Sequence, residues 1–538
     1  MDIHQRFCHE VFDSSGQIVE FSLDYPDNFN FAYDVLDRLA DMSPSSRALC
    51  WCNGRGQEEE LTFGELALAS RRCANALRAF GVDKGDRVLV ILRRNLPYWY
   101  VASALERLGA VMVPSTHMLT REDIGYRLEH AKIRFAIASS EGATLEVLSG
   151  FPCLERIFTF GRCHEAVVNL TEVMTQMPDT FARVETSAQE PMLIFFTSGT
   201  TGHPKGVIHN HLYSLAHIPT AKYWQKVRDG GLHLTIAETG WGKASWGKMY
   251  GQWLCGSAVM IYDFEHFSPA SILEIISRYR VTSFCAPPTI YRYLTRCRCK
   301  DYDLSCLEHL STAGEAMSCE VHRKIEDMLA LPILEGFGQT ESVLMLANFD
   351  CAHPGSLGRP SPLFDVRIQL PDRHFAEGDE EGEIVVVPHG KQHGIFSGYC
   401  NKPELYDKVW EDGVYHTGDI AWRDQDGLFW YVGRKDDLIK TRGFRVGPFE
   451  VETVLERHPA VLECAVIGEM DATRGQIVVA FVQLENTYSP SESLALSIRT
   501  FCNAKLAAYK HVSKVEFVKS LPKTISGKVK RGQLRKKV

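Results

Sequence analysis

The chain has 538 residues, more than one ordinary core accommodates, so at least two domains are expected. A composition of 45% hydrophobic and 23% charged residues is that of a globular protein and excludes extended disorder. The net charge of -8 offers no overall attraction for nucleic acid or an anionic membrane, and no run approaches the 18 apolar residues of a membrane helix.

The sixteen cysteines are scattered, with no C-x-x-C pair, which excludes a zinc framework and points to reduced, mostly buried thiols. The start, Met1-Asp2-Ile3-His4, carries no basic stretch followed by an apolar core. No secretory signal is therefore expected, and the cytoplasm is the expected location.

Residues 1–60 read as an irregular opening segment, with helical spacing only over Asp34–Ala40. Thr62 caps a helix, with Glu65 at the capping-box position. Arg87–Leu92 reads as a buried strand, Pro97 to Gly109 as a helix and Ala110–Pro114 as a second strand. That spacing is a βαβ unit of a parallel sheet, and Arg134–Ala138 adds a strand, so the fold class is layered α/β.

Met192–Phe196 is a further buried strand, and it breaks into Thr197-Ser198-Gly199-Thr200-Thr201-Gly202-His203-Pro204-Lys205-Gly206. Glycines let backbone N–H groups turn toward an anion, hydroxyls add short donors, and Lys205 adds a charge. This is a phosphate grip, although no G-x-x-x-x-G-K-[ST] occurs in the chain. Gly206–His211 leads toward a helix; its two histidines have no nearby carboxylate or cysteine, which favours structural or substrate-side roles over a metal.

Trp241, Lys243, Trp246 and Lys248 crowd one segment, whose tryptophans are either core aromatics or the wall of a pocket. Phe284–Tyr291 is a strand end broken by two prolines. Ser311–Ala316 and Leu334–Glu341 each end an apolar stretch with glycine and a carboxylate, small enough for a flat base to lie on backbone. Glu341 offers the oxygen donor that Mg²⁺ prefers.

Asp419 stands in a loop motif suited to two vicinal hydroxyls. The polar stretch Gly433–Lys440 marks a domain boundary, followed by a helix at Phe449–Leu455 and strands at Val461–Ile467 and Ile477–Leu484. The last 34 residues hold eleven Lys and Arg against one acid, Glu516, and contain Leu521-Pro522-Lys523-Thr524-Ile525-Ser526-Gly527-Lys528.

Taken in order, the motifs from Thr197 to Lys528 resemble those of the adenylate-forming superfamily of acyl-CoA synthetases, luciferases and peptide-synthetase adenylation domains. Ala221–Gln225, Gly242-Lys243, Trp246–Lys248 and Tyr250–Trp253 look most like the AMP-forming short- and medium-chain acyl-CoA synthetase branch. The resemblance implies a large layered α/β domain over residues 1–434 and a small mobile α+β domain over 435–538. It implies two half-reactions: a carboxylate attacks the α-phosphate of ATP to give acyl-AMP and pyrophosphate, then the CoA thiol takes the acyl group.

By the same resemblance Thr197, Ser198, Gly199, Thr200, Thr201, Gly202, His203, Pro204 and Lys205 hold the β- and γ-phosphates. Gly314, Glu315, Glu335, Gly336, Phe337, Gly338, Gln339 and Thr340 belong to the nucleotide site, and Glu341 holds Mg²⁺. Asp419 and Arg434 bind ribose, Lys528 bridges the carboxylate and α-phosphate oxygens, and Asp436 is the hinge. Lys528, Thr340 and Glu341 are the catalytic candidates; Arg442, Gly443, Phe444, Arg445 and Arg474 are candidates for CoA or phosphate contact.

Trp241, Trp246 and Lys248 wall the acyl pocket in this reading, and two stiff indoles there favour a compact aliphatic acid. Phe337 and Phe444 stand where the family commonly has tyrosine, and Glu238 where it has aspartate, which leaves the acid open. The expected partners are a small carboxylic acid, ATP and CoA, with no nucleic acid. The competing functions are an aryl-CoA ligase, an adenylation enzyme loading a carrier protein, a luciferase-like oxygenase and a non-catalytic nucleotide-binding regulator.

Overall fold

A computed structural model describes residues 3–14, 16–140, 144–197, 204–315, 317–388, 390–391, 393–442, 444–471, 473–524 and 528–536. The expected βαβ unit is present: strands Arg87–Ile91 and Val111–Pro114 pair in parallel around the helix Pro97–Leu108. That helix starts on Pro97, whose missing N–H costs nothing in the first turn, and ends at Gly109 in the left-handed region (φ 70°). The helix Phe63–Ala79 has the expected capping box of Thr62 and Glu65.

Arg87–Ile91 and its neighbours form a mixed sheet, whose order runs from Gly398–Tyr399 through Lys205–Asn210, Pro191–Thr197, Val111–Pro114, Arg87–Ile91 and Phe135–Ser139 to Arg156–Phe160 and Val168–Asn169. A second, larger sheet has a parallel centre, from Arg47–Asn53 and Ala258–Asp263 through Leu232–Thr235, Ser283–Cys285 and His309–Ala313 to Ile333–Gly338. It continues as antiparallel strands out to Tyr415–Arg423 and Phe429–Arg434. The fold is layered α/β, with helices such as Phe63–Ala79 and Pro97–Leu108 packed into a continuous apolar core.

The strands from Ile439 onward form a separate sheet with its own core of Ile439, Val446, Val466, Val478, Ile498 and Cys502. The helix Pro448–Leu455 and the strands Val461–Asp471 and Gly475–Leu484 fall where the sequence places them.

One expectation is corrected and one refined. The opening sixty residues are not irregular: Cys8–Phe12 pairs antiparallel with Ile18–Leu23, and Arg47–Asn53 with Glu58–Thr62. The second hairpin turns through Gly54-Arg55-Gly56, a turn signal, but its polar outer strand Glu58–Thr62 hides the alternation. Gly206–His211 does lead to a helix, at Leu212, but it is itself mostly a strand that the sequence reading did not place. Lys205–Asn210 is a strand antiparallel to Pro191–Thr197, and only Leu212–Leu215 is helical.

Candidate active site

The strand Pro191–Thr197 delivers Thr197 opposite Lys205, since the two are register partners across the phosphate-grip loop. Ser198, Gly199, Thr200, Thr201, Gly202 and His203 lie outside the described residues. On the far side of Lys205–Asn210, the short strand Gly398–Tyr399 brings the Tyr399 ring under the Lys205 ammonium, 5.3 Å from the ring centroid. The Tyr399 hydroxyl donates to Glu341 Oε1 at 2.9 Å. Lys205, Tyr399 and Glu341 thus meet although they span nearly 200 positions of sequence.

Thr340 is fixed from behind. His209 Nε2 lies 2.8 Å from the Thr340 carbonyl oxygen, and its ring leans on Tyr213 at 34°, with centroids 4.1 Å apart. Burial pushes the His209 pKa down to about 4, so the ring is a neutral donor to that carbonyl at neutral pH. His209 therefore serves structure, holding the Thr340 backbone in place.

The strand Ile333–Gly338 forms one wall. Gly336 and Gly338, two apart and so on one face, lie against indoles: a Cβ on Gly336 would meet Trp224 Cε2 at 2.7 Å, and one on Gly338 would meet Trp246 Cη2 at 2.5 Å. The two tryptophans contact edge to face, at 6.1 Å and 82°. Trp246 is thus packed among Trp224, Cys285, Ala313, Leu334 and Leu344. It forms the floor beneath this strand; Trp241 is half-buried. The Glu335 carboxylate turns to the Gly355 N–H, which donates at 2.7 Å, and burial raises its pKa to about 8.

Gln339 and Asp419 meet at the next turn. Gln339 Nε2 donates to Asp419 Oδ2 at 2.5 Å and to the Thr417 carbonyl at 2.8 Å, while the Tyr415 hydroxyl donates to Gln339 Oε1 at 2.7 Å. Asp419 and Arg434 are cross-strand partners, so Arg434 Nη1 reaches Asp419 Oδ2 at 3.1 Å, and the Tyr431 hydroxyl donates to Asp419 Oδ1 at 3.2 Å. Burial raises the Asp419 pKa against the pull of Arg434, then of the Lys528 ammonium, Tyr431 and Gln339. Lys528 itself is exposed, and its backbone N–H donates to Thr524 Oγ1 at 3.0 Å.

Lys243 occupies the far side. Its ammonium donates to the Ala313 carbonyl beside Gly314, and burial and Lys528 lower its pKa while Glu315 raises it. Thr289 Oγ1 donates to Glu315 Oε2 at 3.0 Å. Lys528 therefore acts by charge on both Asp419 and Lys243, and Glu315 on Lys243, at the crevice where the large sheets meet the small C-terminal sheet.

Other candidates stand apart. Among the described residues Arg442, Phe444, Arg445 and Arg474 make no bond to Asp419, Glu341 or Lys205. The Arg442 N–H donates to the Arg474 carbonyl at 2.9 Å, and Phe444, 52% exposed, stacks on Tyr509 at 4.5 Å. Gly443 lies outside the described residues. Asp436 sits in the turn after Arg434, its carboxylate 3.5 Å from Arg434 Nε.

Elsewhere His4, Cys8 and Glu10 cluster closely enough for a metal, but the Lys222 ammonium already bonds His4 and Glu10 there, at 2.6 and 2.7 Å. A cleft of about 570 Å³ between the two large sheets is lined by none of the expected site residues.

Residues 36–400 match the AMP-binding enzyme family, and residues 450–528 match the AMP-binding enzyme C-terminal domain. The chain belongs to the AMP-binding enzyme family. Acyl-coenzyme A synthetase ACSM3, mitochondrial, of Homo sapiens is 38% identical over 534 residues, covering 96% of this chain and 91% of that protein. Acyl-coenzyme A synthetase ACSM4, mitochondrial, of Mus musculus is 38% identical over 525 residues, covering 95% and 90%. Among solved structures, the anthranilate CoA ligase AuaEII in complex with anthranoyl-AMP superposes with a TM-score of 0.88 at 27% identity, covering 96% of this chain and 98% of that one. A benzoate CoA ligase from Burkholderia xenovorans LB400 gives 0.82 at 26% identity, covering 94% and 100%.

These relatives overturn the cytoplasmic expectation, because both synthetases are mitochondrial by name. The sequence criterion sought a basic stretch and an apolar core, whereas mitochondrial import reads an amphipathic, arginine-rich pattern. That criterion was blind to the compartment.

Sequence reasoning passed over Tyr399, Tyr431 and Thr417, which touch Glu341, Asp419 and Gln339, and it named His209 without its bond to Thr340. No local pattern marks them, since each acts from another strand. Lys243 was visible beside the tryptophans, but its place at Gly314 was not.

Proposed function

We propose that the crevice joins a short- or medium-chain, or branched, aliphatic carboxylic acid to CoA through an acyl-AMP intermediate. The chain is an AMP-forming acid–CoA ligase that uses ATP. The observation that carries the assignment of residues is the convergence of Gln339, Arg434 and the Lys528 charge on the buried Asp419, with Lys205 and Glu341 at the adjoining strand ends.

The loop from Thr197 to Lys205 would hold the β- and γ-phosphates of ATP, with Gly314, Glu315 and the strand end Glu335–Thr340 beside base and α-phosphate. Asp419 accepts from ribose hydroxyls while Arg434, Gln339 and Tyr431 orient its carboxylate. Attack on phosphorus asks the protein mainly for position and charge neutralisation, so Lys528 acts by holding acid and α-phosphate oxygens together. The oxygen donor set around Glu341 fits Mg²⁺, which when bound would neutralise phosphate charge.

Residues 1–434 would form the nucleotide- and acid-binding domain. Residues 435–538 would rotate about Asp436 between half-reactions, taking Lys528 away and bringing Arg442, Gly443, Phe444, Arg445 and Arg474 toward CoA. That Arg442, Phe444, Arg445 and Arg474 make no bond to Asp419 among the described residues supports a second arrangement. Trp241, Trp246 and Lys248 would limit the acid's length.

ATP–pyrophosphate exchange with a panel of aliphatic, branched and aromatic acids, followed by AMP release on adding free CoA, tests the reading. Exchange dependent on aliphatic acids and AMP release dependent on CoA are expected. Exchange without CoA-dependent AMP release would instead favour a carrier-loading enzyme, and a preference for benzoate an aryl ligase.

A further inference from the structure

Lys243 stands where the wall proposed for the acid meets the strands proposed for the nucleotide. It belongs to the short helix Gly242–Gly247, whose Trp246 packs against Gly338. The neighbouring Gly242 lies against Thr340, where a Cβ would stand 3.5 Å from Thr340 Cγ2. The Lys243 ammonium donates to the Ala313 carbonyl, and a Cβ on Gly314 would stand 3.5 Å from its Nζ. Ala313 is the register partner of Gly336. The ammonium thus lies one strand over from Ile333–Gly338.

Charge sets this lysine apart. It is half-buried, and among the described residues its ammonium makes that one hydrogen bond and no ion pair. An ammonium has three donors, so two are left for a ligand or water. Burial lowers the Lys243 pKa, Cys285 and Glu315 raise it, and the Lys528 ammonium lowers it again. Two ammonium groups that repel one another are both stabilised by an anion they share. The nearby carboxylates already have other partners: Asp419 is held by Arg434, Gln339 and Tyr431, and Glu315 accepts from Thr289 at 3.0 Å.

We propose that Lys243 is a second catalytic cation: its ammonium receives the carboxylate of the incoming acid and, with Lys528, holds it for attack on the α-phosphate. This deepens the ligase reading and rests on it. In that step a carboxylate oxygen forms the new bond to phosphorus. The bond to pyrophosphate breaks, its electron pair leaves with pyrophosphate, and no proton moves. The acid's one charge must lie where acid and nucleotide meet, which is where Lys243 stands. Lys528 belongs to the domain proposed to rotate, whereas Lys243 stays with the large sheets. It therefore keeps the acid in place before Lys528 arrives.

The test is ATP–pyrophosphate exchange with hexanoate, reading the KM for the acid and the KM for ATP separately in the wild type, Lys243→Gln and Lys243→Arg. Glutamine keeps a donor for the Ala313 carbonyl but carries no charge; arginine keeps the charge. Lys243→Gln is expected to raise the KM for hexanoate about tenfold or more, the worth of a hydrogen bond to a charged group, with the KM for ATP within about twofold. Lys243→Arg should recover most of that loss. A wild-type KM for hexanoate in Lys243→Gln overturns the proposal, because the bond to Ala313 is then the lysine's whole role. Equal rises in both KM values, or a Lys243→Gln protein that fails to fold, assign the lysine to the structure of the site and overturn it too. Each of these results leaves the ligase reading intact, whereas a wild type that shows no exchange with any carboxylic acid sinks that reading and this one together.

Discussion

Asp419 shows how much one side chain depends on others for its state. It is 4% exposed, and its carboxylate is held by Arg434, Gln339 and Tyr431 together. Lys528, itself exposed, adds its charge to that of Arg434 at this carboxylate. Lys528→Ala should therefore cut acyl-AMP formation by roughly 10²–10³, the cost of losing one transition-state charge contact. Thioester formation from supplied acyl-AMP should be nearly normal, and pyrophosphate-exchange and single-turnover assays read the two separately. Equal losses would make Lys528 structural.

Glu335 offers a second test at this scale. Its folded pKa of about 8 lies above the unfolded value of 4.5, so the folded state binds the proton more tightly. The stabilisation is complete below pH 4.5 and lost as pH rises through about 8. Glu335→Gln cannot ionise and should hold its Tm better than the wild type between these limits. Glu106, raised to about 8 by burial, keeps part of the slope. A Tm difference that does not vary with pH would place the Glu335 charge elsewhere.

At the scale of an element, the strand Ile333–Gly338, proposed above to line the nucleotide, lies on a floor of two indoles. The Trp224 indole N–H donates to the Leu334 carbonyl at 3.0 Å, locking floor to strand. The alternation Glu335-Gly336-Phe337-Gly338 follows, because a side chain at Gly336 or Gly338 would collide with an indole. At Gly338 a methyl would also meet the Val343 carbonyl oxygen at 2.6 Å, a backbone atom that cannot swing aside. Gly338→Ala should cost about 1–3 kcal/mol of stability, measured by denaturant unfolding. It should also raise KM for ATP, since the strand end moves with Gln339. An unperturbed KM would show that the strand shifts without the site.

For the whole molecule, the relation between the large sheets and the C-terminal sheet is held by few ion pairs. Arg292 Nη2 reaches Glu456 Oε1 at 2.9 Å and Arg296 Nη2 reaches Glu485 Oε1 at 2.7 Å, both across the crevice. Burial raises the Glu456 pKa to about 7; Arg292 opposes this, and Glu452, Glu463 and Glu315 add to it. Arg292→Ala leaves that carboxylate crowded by others and should disfavour this arrangement. Adenylation should slow by about tenfold, roughly 1.4 kcal/mol, with CoA transfer spared. Asp436→Pro, which fixes φ near −65° in the connecting turn, should instead keep adenylation and abolish CoA transfer. Stopped-flow measurement of each half-reaction distinguishes the two variants, and normal CoA transfer in Asp436→Pro would move the hinge off this turn.

Sequence alone was enough for features that repeat locally. The strand Arg87–Ile91, the capped helix from Thr62, the phosphate-loop strand and the C-terminal α+β pattern are each written in a dozen neighbouring residues, because backbone propensity and hydrophobic period act over that range. The motif order from Thr197 to Lys528 likewise carried the family. The second opening hairpin was lost because strand Glu58–Thr62 begins with three consecutive glutamates and borrows its order from Arg47–Asn53. Tertiary structure alone decided that Trp246 lies under Gly338, that Tyr399 joins Lys205 to Glu341, and that Lys248 is buried beside a cavity. These are contacts between strands far apart in sequence, and desolvation, which sets the charge of Lys248, Glu335 and His209, exists only once the chain has closed around them.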